Sequence, residues 1–149
     1  LGSARLGDDV EVGSNTTIDR GTIEDTVIDD GVKMDNQVQV GHNCRIGAHT
    51  VLAGRVGISG STIIGRRCMI GGASGTVGHL EIGDDVVVTG YSMVTHSIPG
   101  PGTYSSGMPA IQSIDWRRTV ARLRRLDALE RRLARLERGG DGAEEETDE

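Results

Sequence analysis

The sequence has no phenylalanine, and aromatic residues make up only 2% of its 149 residues. That scarcity excludes a broad globular core packed with large rings. Hydrophobic residues amount to 36%, and glycine occurs 23 times. This composition favours a narrow interior filled by aliphatic and small side chains.

Cysteine, proline and long apolar runs are also scarce. Cys44 and Cys68 are too few for a disulfide framework and lack metal-binding spacing, so we expect buried thiols in a reducing compartment. Three prolines without a Gly-X-Y period exclude collagen. No run approaches the roughly 20 apolar residues of a membrane span, and no signal peptide opens the chain. We therefore expect a cytoplasmic protein without a membrane span; peripheral association with the inner membrane stays open.

Charge is divided unevenly along the chain, whose net charge is −6. Residues 1–113 carry seven Lys or Arg against twelve Asp or Glu, and residues 114–138 carry nine Arg against four acids. Residues 139–149 carry six acids and no base. The basic segment suits an acidic partner, and the acidic end predicts a disordered tail over residues 139–149.

The strongest pattern is a six-residue period that runs from residue 28 to residue 99. Eleven of its twelve leading positions are aliphatic or Met, and Thr76 is the exception. Four residues after most of them comes a small or modest side chain, such as Cys44 or Thr50. The leading positions are Ile28, Met34, Val40, Ile46, Leu52, Ile58, Ile64, Ile70, Thr76, Ile82, Val88 and Val94.

A strict period of six fits neither an α-helix nor a simple strand. It fits a solenoid in which each hexad forms a short strand and turn, and three hexads complete a triangular coil. Leu6, Val12 and Ile18 supply an earlier coil, and the ten-residue step from Ile18 to Ile28 predicts a loop within residues 21–27. The predicted fold class is all-β: a left-handed parallel β-helix of five coils of hexapeptide repeats, with a C-terminal α-helical extension.

The repeat stops at Ile98-Pro99-Gly100-Pro101, because proline removes donors from a strand ladder. We therefore predict a β-helix over residues 1–98 and a cap over residues 99–113. Apolar residues then recur at spacings of three and four, which predicts one helix over residues 114–138. Its narrow apolar stripe needs a partner, so we expect a homo-oligomer. The stripe consists of Trp116, Val120, Leu123, Leu126, Leu129, Leu133 and Leu136.

The period also places the four histidines on faces of the predicted prism. His42 and His79 share one face and lie two coils apart. His96 falls on the same face at the last hexad, where we interpret it as a surface imidazole, and His49 falls on another face.

The neighbours of two of these histidines indicate chemistry. His42 follows Gly41, which leaves space for a substrate, and the polar run Asp35-Asn36-Gln37 lies one hexad earlier, able to orient the imidazole. His79 lies in the hexad whose leading position is Thr76 and not an aliphatic residue or Met. A single departure from an otherwise regular repeat indicates a functional constraint at that place.

Five segments, in their order and spacing, resemble those of one family. They are IDRGTIEDTVID, MDNQVQVGHNCRIG, IGRRCMIGGASG, GHLEIGDDVVVTGYSMVT and PGTYSSGMPA, followed by Trp116-Arg117-Arg118 and the Leu/Arg helix. The family is the UDP-3-O-(3-hydroxyacyl)glucosamine N-acyltransferases of lipid A biosynthesis in Gram-negative bacteria. The resemblance runs from about residue 12 to residue 138, whereas hexads alone would indicate only the broader class of hexapeptide-repeat transferases.

The resemblance implies transfer of an (R)-3-hydroxyacyl group from acyl carrier protein to the 2-amino group of the sugar nucleotide. By this resemblance His42 is the general base, Gly60 supplies the backbone N–H that stabilises the thioester oxyanion, and His79 assists. Asp35 and Asn36 match polar substrate-binding residues near the base.

Further expectations concern the donor and the assembly. Tyr91, Met93 and Thr95 are candidates for lining an acyl channel and limiting chain length, with packing as the alternative. Nothing indicates a covalent enzyme intermediate, so we expect direct attack in a ternary complex. The resemblance implies no metal and no cofactor, because the acyl donor is carried on the phosphopantetheine of acyl carrier protein. It also implies a homotrimer with sites between neighbouring prisms, which binds acyl carrier protein and a UDP-sugar lipid precursor but no nucleic acid.

One departure and several rivals accompany this resemblance. The family carries an N-terminal uridine-binding domain that this chain lacks, and the chain begins at Leu1 without Met, so we expect a preceding part and weak sugar-nucleotide binding by this chain alone. A UDP-N-acetylglucosamine O-acyltransferase shares the prism and a histidine base, but the PGTYSSG segment counts against it. A γ-type carbonic anhydrase needs three zinc-binding histidines. A non-catalytic trimeric scaffold is the remaining alternative.

Overall fold

The computed structural model of the chain describes residues 1–140, which fall into two compact units. Residues 1–107 form a parallel β-solenoid, and two α-helices lie within the unit that begins at Met108. The predicted parallel β-helix of hexapeptide repeats with a helical extension is confirmed.

Sixteen short strands form the three faces of the solenoid. Face 1 contains β1 (Ala4–Leu6), β4 (Thr26–Ile28), β7 (Arg45–Ile46), β10 (Ile63–Ile64) and β13 (Glu81–Ile82). Face 2 contains β2 (Glu11–Val12), β5 (Lys33–Met34), β8 (Val51–Leu52), β11 (Met69–Ile70), β14 (Val86–Val88) and β16 (Gly102–Tyr104). Face 3 contains β3 (Thr17–Ile18), β6 (Gln39–Val40), β9 (Gly57–Ile58), β12 (Gly75–Thr76) and β15 (Met93–Val94).

Successive coils stack in register, so that each aliphatic residue lies above its equivalent in the coil before. Ile28 pairs with Ile46 and Met34 with Leu52, which are 18 residues apart. All twelve leading positions of the period, from Ile28 to Val94, are buried. Burying an Ile, Leu or Val side chain contributes about 1.5–3 kcal/mol, so this column of side chains supplies most of the driving force for folding.

Most corners of the solenoid turn on a residue in the left-handed region of the Ramachandran plot. Twelve such residues are not glycine, among them Asn43, Ser61 and His79, with φ near +60°. Their conformation is offset by hydrogen bonds between coils, as when the N–H of Ser61 donates to the carbonyl of His42 at 2.9 Å.

The solenoid continues past the predicted end at residue 98. Ile98 pairs with Ile82, and β16 pairs with β14 to add part of a sixth coil. The predicted boundary is wrong because Pro99 and Pro101 fall between these pairings, where no ladder donor is required. The loop predicted within residues 21–27 is present, although β4 already begins at Thr26.

The predicted single helix over residues 114–138 is two helices. α1 spans Ser113–Leu123 and α2 spans Leu126–Gly140, separated by a turn at Arg124 and Arg125. The apolar side chains of the stripe remain about half exposed; Leu129 and Leu133, for example, are 56% and 57% exposed. Neither helix is long and apolar enough to cross a bilayer, among the residues that the structure describes. Of the tail predicted for residues 139–149, all but residues 139 and 140 lie outside the described residues.

Candidate functional site

One corner of the solenoid gathers the residues expected to act in chemistry. We call it the site corner: the turn by which the chain leaves face 3 and enters face 1 of the next coil. His42 follows β6, Gly60 follows β9, and His79 follows β12, so three consecutive coils contribute one residue each. The periodicity argument that put His42 and His79 on one side is confirmed.

His42 and Gly60 lie in direct contact. A Cβ atom added to Gly60 would lie 2.7 Å from Nε2 and 2.8 Å from Cε1 of His42. Any side chain at position 60 would therefore displace the imidazole. Glycine leaves room for the imidazole in this position through close approach and not through backbone conformation, because Gly60 is outside the left-handed region.

The backbone N–H of Gly60 is a free donor. At other corners the equivalent N–H donates to a side chain one coil further on: the N–H of Ser14 to Asn36 Oδ1 at 2.8 Å, and that of Arg66 to Asp84 Oδ1 at 2.7 Å. For Gly60 that position is Gly78, which has no side chain. Within residues 1–140 the N–H of Gly60 consequently has no hydrogen-bond acceptor.

Interior polar groups fix the peptide that carries this donor. The thiol of Cys44, which is fully buried, donates to the carbonyl of Ser59 at 3.2 Å. The carbonyl of Ser59 and the N–H of Gly60 belong to the same peptide, and these two groups point in opposite directions in a trans peptide. The carbonyl faces the buried thiol, so the N–H of Gly60 points away from the interior of the solenoid. The N–H of Ser59 also donates to Thr76 Oγ1 at 3.2 Å, and Ser59 Oγ donates to the Thr76 carbonyl at 2.6 Å. Thr76, the exception to the aliphatic period, thus anchors the segment before Gly60.

The orientation of His42 depends on Asn43, a residue that the sequence reasoning did not single out. His42 Nδ1 lies 3.0 Å from Asn43 Oδ1. An amide oxygen only accepts hydrogen bonds, so Nδ1 carries the proton and Nε2 is left with its lone pair beside Gly60. The only signal in the sequence was the adjacency of the two residues.

The other two histidines of this corner are exposed. His79 has φ of +61°, and its backbone N–H donates to the carbonyl of Gly60 at 3.1 Å. Its imidazole makes no hydrogen bond within the described part of the chain. His96 lies two coils beyond Gly60 in the same column, with Nδ1 3.2 Å from Thr95 Oγ1.

Asp35 and Asn36 lie at a different corner, between β5 and β6. Asn36 Oδ1 accepts the N–H of Ser14, and Asp35 Oδ1 accepts the N–H of Asn36 at 2.8 Å. Neither side chain is hydrogen-bonded to His42. Within one chain, therefore, the residue that orients the imidazole is Asn43.

The three acyl-channel candidates, Tyr91, Met93 and Thr95, are exposed near the last coils. Tyr91 is 73% exposed, its hydroxyl accepts a hydrogen bond from Arg55 Nη2 at 3.0 Å, and the guanidinium lies 6.0 Å from its ring centroid. Met93 is 69% exposed and lines a cleft of about 190 Å³ with His96 and Tyr104. The structure places Tyr91 and Met93 on neighbouring parts of the last complete coil.

The groups whose pKa values are shifted make contacts that stabilise the solenoid. The backbone N–H and guanidinium of Arg66 lower the pKa of Asp84, and hydrogen bonding to Arg67 lowers that of Asp85. Burial raises the pKa of the Cys44 thiol, which keeps it protonated at neutral pH. No cluster of three His, Cys, Asp or Glu side chains that could hold a metal occurs within residues 1–140.

Comparison with known proteins shows what the chain as a whole is similar to. Residues 61–90 match the family described as hexapeptide repeat of succinyl-transferase. The UDP-3-O-acylglucosamine N-acyltransferase of Hahella chejuensis is 56% identical over 94% of this chain and 40% of its own length. That of Bordetella pertussis is 54% identical over 93% of this chain and 38% of its own length.

Solved structures share the fold at lower identity. LpxA from Acinetobacter baumannii has a TM-score of 0.68 at 23% identity, covering 78% of this chain and 47% of that chain. The UDP-N-acetylglucosamine acyltransferase of Campylobacter jejuni has a TM-score of 0.62 at 21% identity, covering 64% and 39%. The chain therefore belongs to the UDP-3-O-acylglucosamine N-acyltransferase family, and it spans about two fifths of the length of the relatives it matches.

Proposed function

We propose that the site corner is the acyl-transfer site of an N-acyltransferase that moves an (R)-3-hydroxyacyl group from acyl carrier protein to the 2-amino group of UDP-3-O-acyl-glucosamine, a step of lipid A biosynthesis. One observation carries the proposal: the Nε2 lone pair of His42 and the free N–H of Gly60 lie side by side. A base and an oxyanion donor are the two groups that acyl transfer to an amine requires. The names of the relatives support this choice of reaction.

In the proposed reaction the amine nitrogen attacks the thioester carbon. The new C–N bond forms while the amine loses a proton to Nε2 of His42, and the carbonyl oxygen becomes an oxyanion within reach of the Gly60 N–H. Collapse of the tetrahedral intermediate breaks the C–S bond, and the imidazolium returns the proton to the departing thiolate. His79 assists from the coil that follows that of Gly60. No cofactor is needed beyond the phosphopantetheine that carries the donor.

We also propose a homotrimer in which neighbouring chains complete each site. Asp35 and Asn36 lie at another corner of the chain from His42, so a second copy is the source that could bring them to the imidazole. The half-exposed apolar stripe of α1 and α2 suits the same association, because exposed leucines at helical spacing favour helix pairing. The arginines of these helices suit acyl carrier protein, an acidic partner, and the cytoplasm is the proposed location.

Amide formation tests the activity directly. The chain, alone and fused to a uridine-binding domain of the kind expected from the resemblance, is incubated with 3-hydroxyacyl carrier protein and UDP-3-O-acyl-glucosamine, and the product is measured by mass spectrometry. We expect an amide product that is lost in His42→Ala. UDP-N-acetylglucosamine serves as the alternative acceptor: its esterification would favour O-acyl transfer, and no product from a folded protein with either acceptor would favour the scaffold.

Mixed trimers test whether the sites lie between chains. His42→Ala and Asp35→Ala, each expected to be inactive alone, are unfolded together and refolded as a mixture. If each site takes His42 from one chain and Asp35 from its neighbour, some sites in the mixture are intact and activity returns. Activity that stays absent, with trimers present by analytical ultracentrifugation, would contradict a shared site.

A further inference from the structure

The first coil contains four residues more than the others. Ala4 pairs with Thr26 across 22 residues, whereas Val27 pairs with Arg45 across 18. The additional residues form the loop over residues 20–25, at the site corner between β3 and β4. Later coils turn this corner without such a loop, so the solenoid itself does not need it.

The loop encloses the side chain of Asn43. Both the backbone N–H and the hydroxyl of Thr22 donate to Asn43 Oδ1, at 3.3 and 3.1 Å. Asn43 Nδ2 donates to the carbonyl of Glu24 at 2.9 Å. The backbone N–H of Asn43 donates to Thr26 Oγ1 at 2.8 Å, which fixes the residue from the strand that follows the loop.

These contacts determine which end of the amide faces His42. The N–H of Thr22 can only donate and the carbonyl of Glu24 can only accept, so rotating the amide by 180° would lose both hydrogen bonds. Oδ1 must therefore face the loop and His42 Nδ1 together. An acceptor fixed at this place requires that Nδ1 carry the proton of the neutral imidazole.

We propose that the loop over residues 20–25 is a positioning device that acts through Asn43 to hold neutral His42 in the Nδ1–H tautomer, with Thr22 as its principal positioning residue. Its role in catalysis rests on the proposed function, because a base at Nε2 is useful only if His42 is the base. The tautomer itself is independent of that function.

The tautomer is measured at alkaline pH by ¹⁵N–¹H correlation of the histidine rings in the chain. We expect His42 to show protonated Nδ1 and unprotonated Nε2. Asn43→Leu, or deletion of residues 21–24 to restore the regular coil length, is expected to shift His42 toward the Nε2–H form. Thr22→Val is expected to shift it partly and Thr22→Ser not at all. Thr16→Val is the matched control, because Thr16 makes two comparable hydrogen bonds in the same coil but at another corner.

Acyl transfer is then measured for the same variants in the fusion. We expect kcat to fall by on the order of ten- to a hundredfold in Asn43→Leu and the loop deletion, with KM changed less than about threefold, because the tautomer affects proton transfer more than binding. An Nε2–H tautomer in the unsubstituted chain, or an unchanged Nδ1–H tautomer after the loop is deleted, would overturn the positioning role. Loss of the tautomer without loss of transfer would leave the device intact and instead contradict His42 as the base.

Discussion

Replacing Gly60 by alanine separates the proposed chemistry from the fold. The new methyl carbon would lie 2.7 Å from His42 Nε2, whereas ordinary contact begins near 3.4 Å. The imidazole must therefore retreat by at least about 0.7 Å, and a displacement of that order can reduce turnover about 10²-fold. The backbone N–H is still present in the variant, so the loss would come from the displaced base.

Stability should change little in the same variant. His42 is exposed, so its ring can swing toward solvent without opening a cavity. Gly60 does not occupy the left-handed region, and alanine there restricts the unfolded chain, which contributes about 0.4–1 kcal/mol. We therefore expect the free energy of unfolding to change by less than about 1 kcal/mol.

The assay compares kcat for acyl transfer with urea unfolding monitored by circular dichroism. Gly57→Ala is the matched control in the same coil, because a Cβ at position 57 would meet no atom within 4 Å. In a His42→Ala background, Gly60→Ala meets no ring and should cause little further loss of activity. Gly60→Ala with kcat close to that of the unsubstituted protein would refute the reasoning, since the contact would then have no bearing on turnover.

Three further predictions concern the solenoid and the helices. Asp84 and Asp85 have pKa values that are lower in the folded state than the unfolded value of 3.8. The stability that they contribute is therefore present above pH 3.8 and is lost as the pH falls through the lower folded values. Urea unfolding should show that the free energy of unfolding decreases from pH 5 to pH 3, and that this decrease is smaller in the Asp84→Asn/Asp85→Asn variant. Cys44 and Cys68 are buried with raised pKa values, so both thiols should resist Ellman's reagent in the folded protein and react fully in urea; rapid reaction of the folded protein would contradict this placement. Leu133→Glu places a charge in the apolar stripe, so it should weaken self-association in sedimentation velocity, whereas Arg131→Glu, on the opposite side of the helix, should not.

The fold was readable from the sequence because a single rule repeats. An aliphatic residue at every sixth position fills the interior of the solenoid, so residues such as Ile46 and Ile64 are expected to stack. The structure buries both. The prediction failed at residue 98, where two prolines interrupt the rule. A strand without proline could still follow them, and β16 does so.

The candidate site was readable only in part. Periodicity placed His42 and His79 at one corner, and the resemblance pointed to Gly60. The role of Asn43 could not be predicted, because its hydrogen-bond partners lie in a loop about 20 residues earlier. Contact between this loop and Asn43 depends on how many extra residues the first coil contains. The free N–H of Gly60 could not be predicted either. It depends on Gly78, one coil further on, which has no side chain to accept the hydrogen bond.

The constant register between coils limits where residues can be inserted or deleted. Between β4 and β15, pairing partners differ by 18 positions, so deleting a single residue within a strand would turn the aliphatic side chains of that strand from the interior to the surface. Insertions are tolerable at corners, as the four extra residues before β4 illustrate, because the chain can loop out and re-enter in phase. Growth or loss of length in such a chain is therefore expected to occur in whole coils or as corner loops, which leaves the corners as the places where new chemistry can be added.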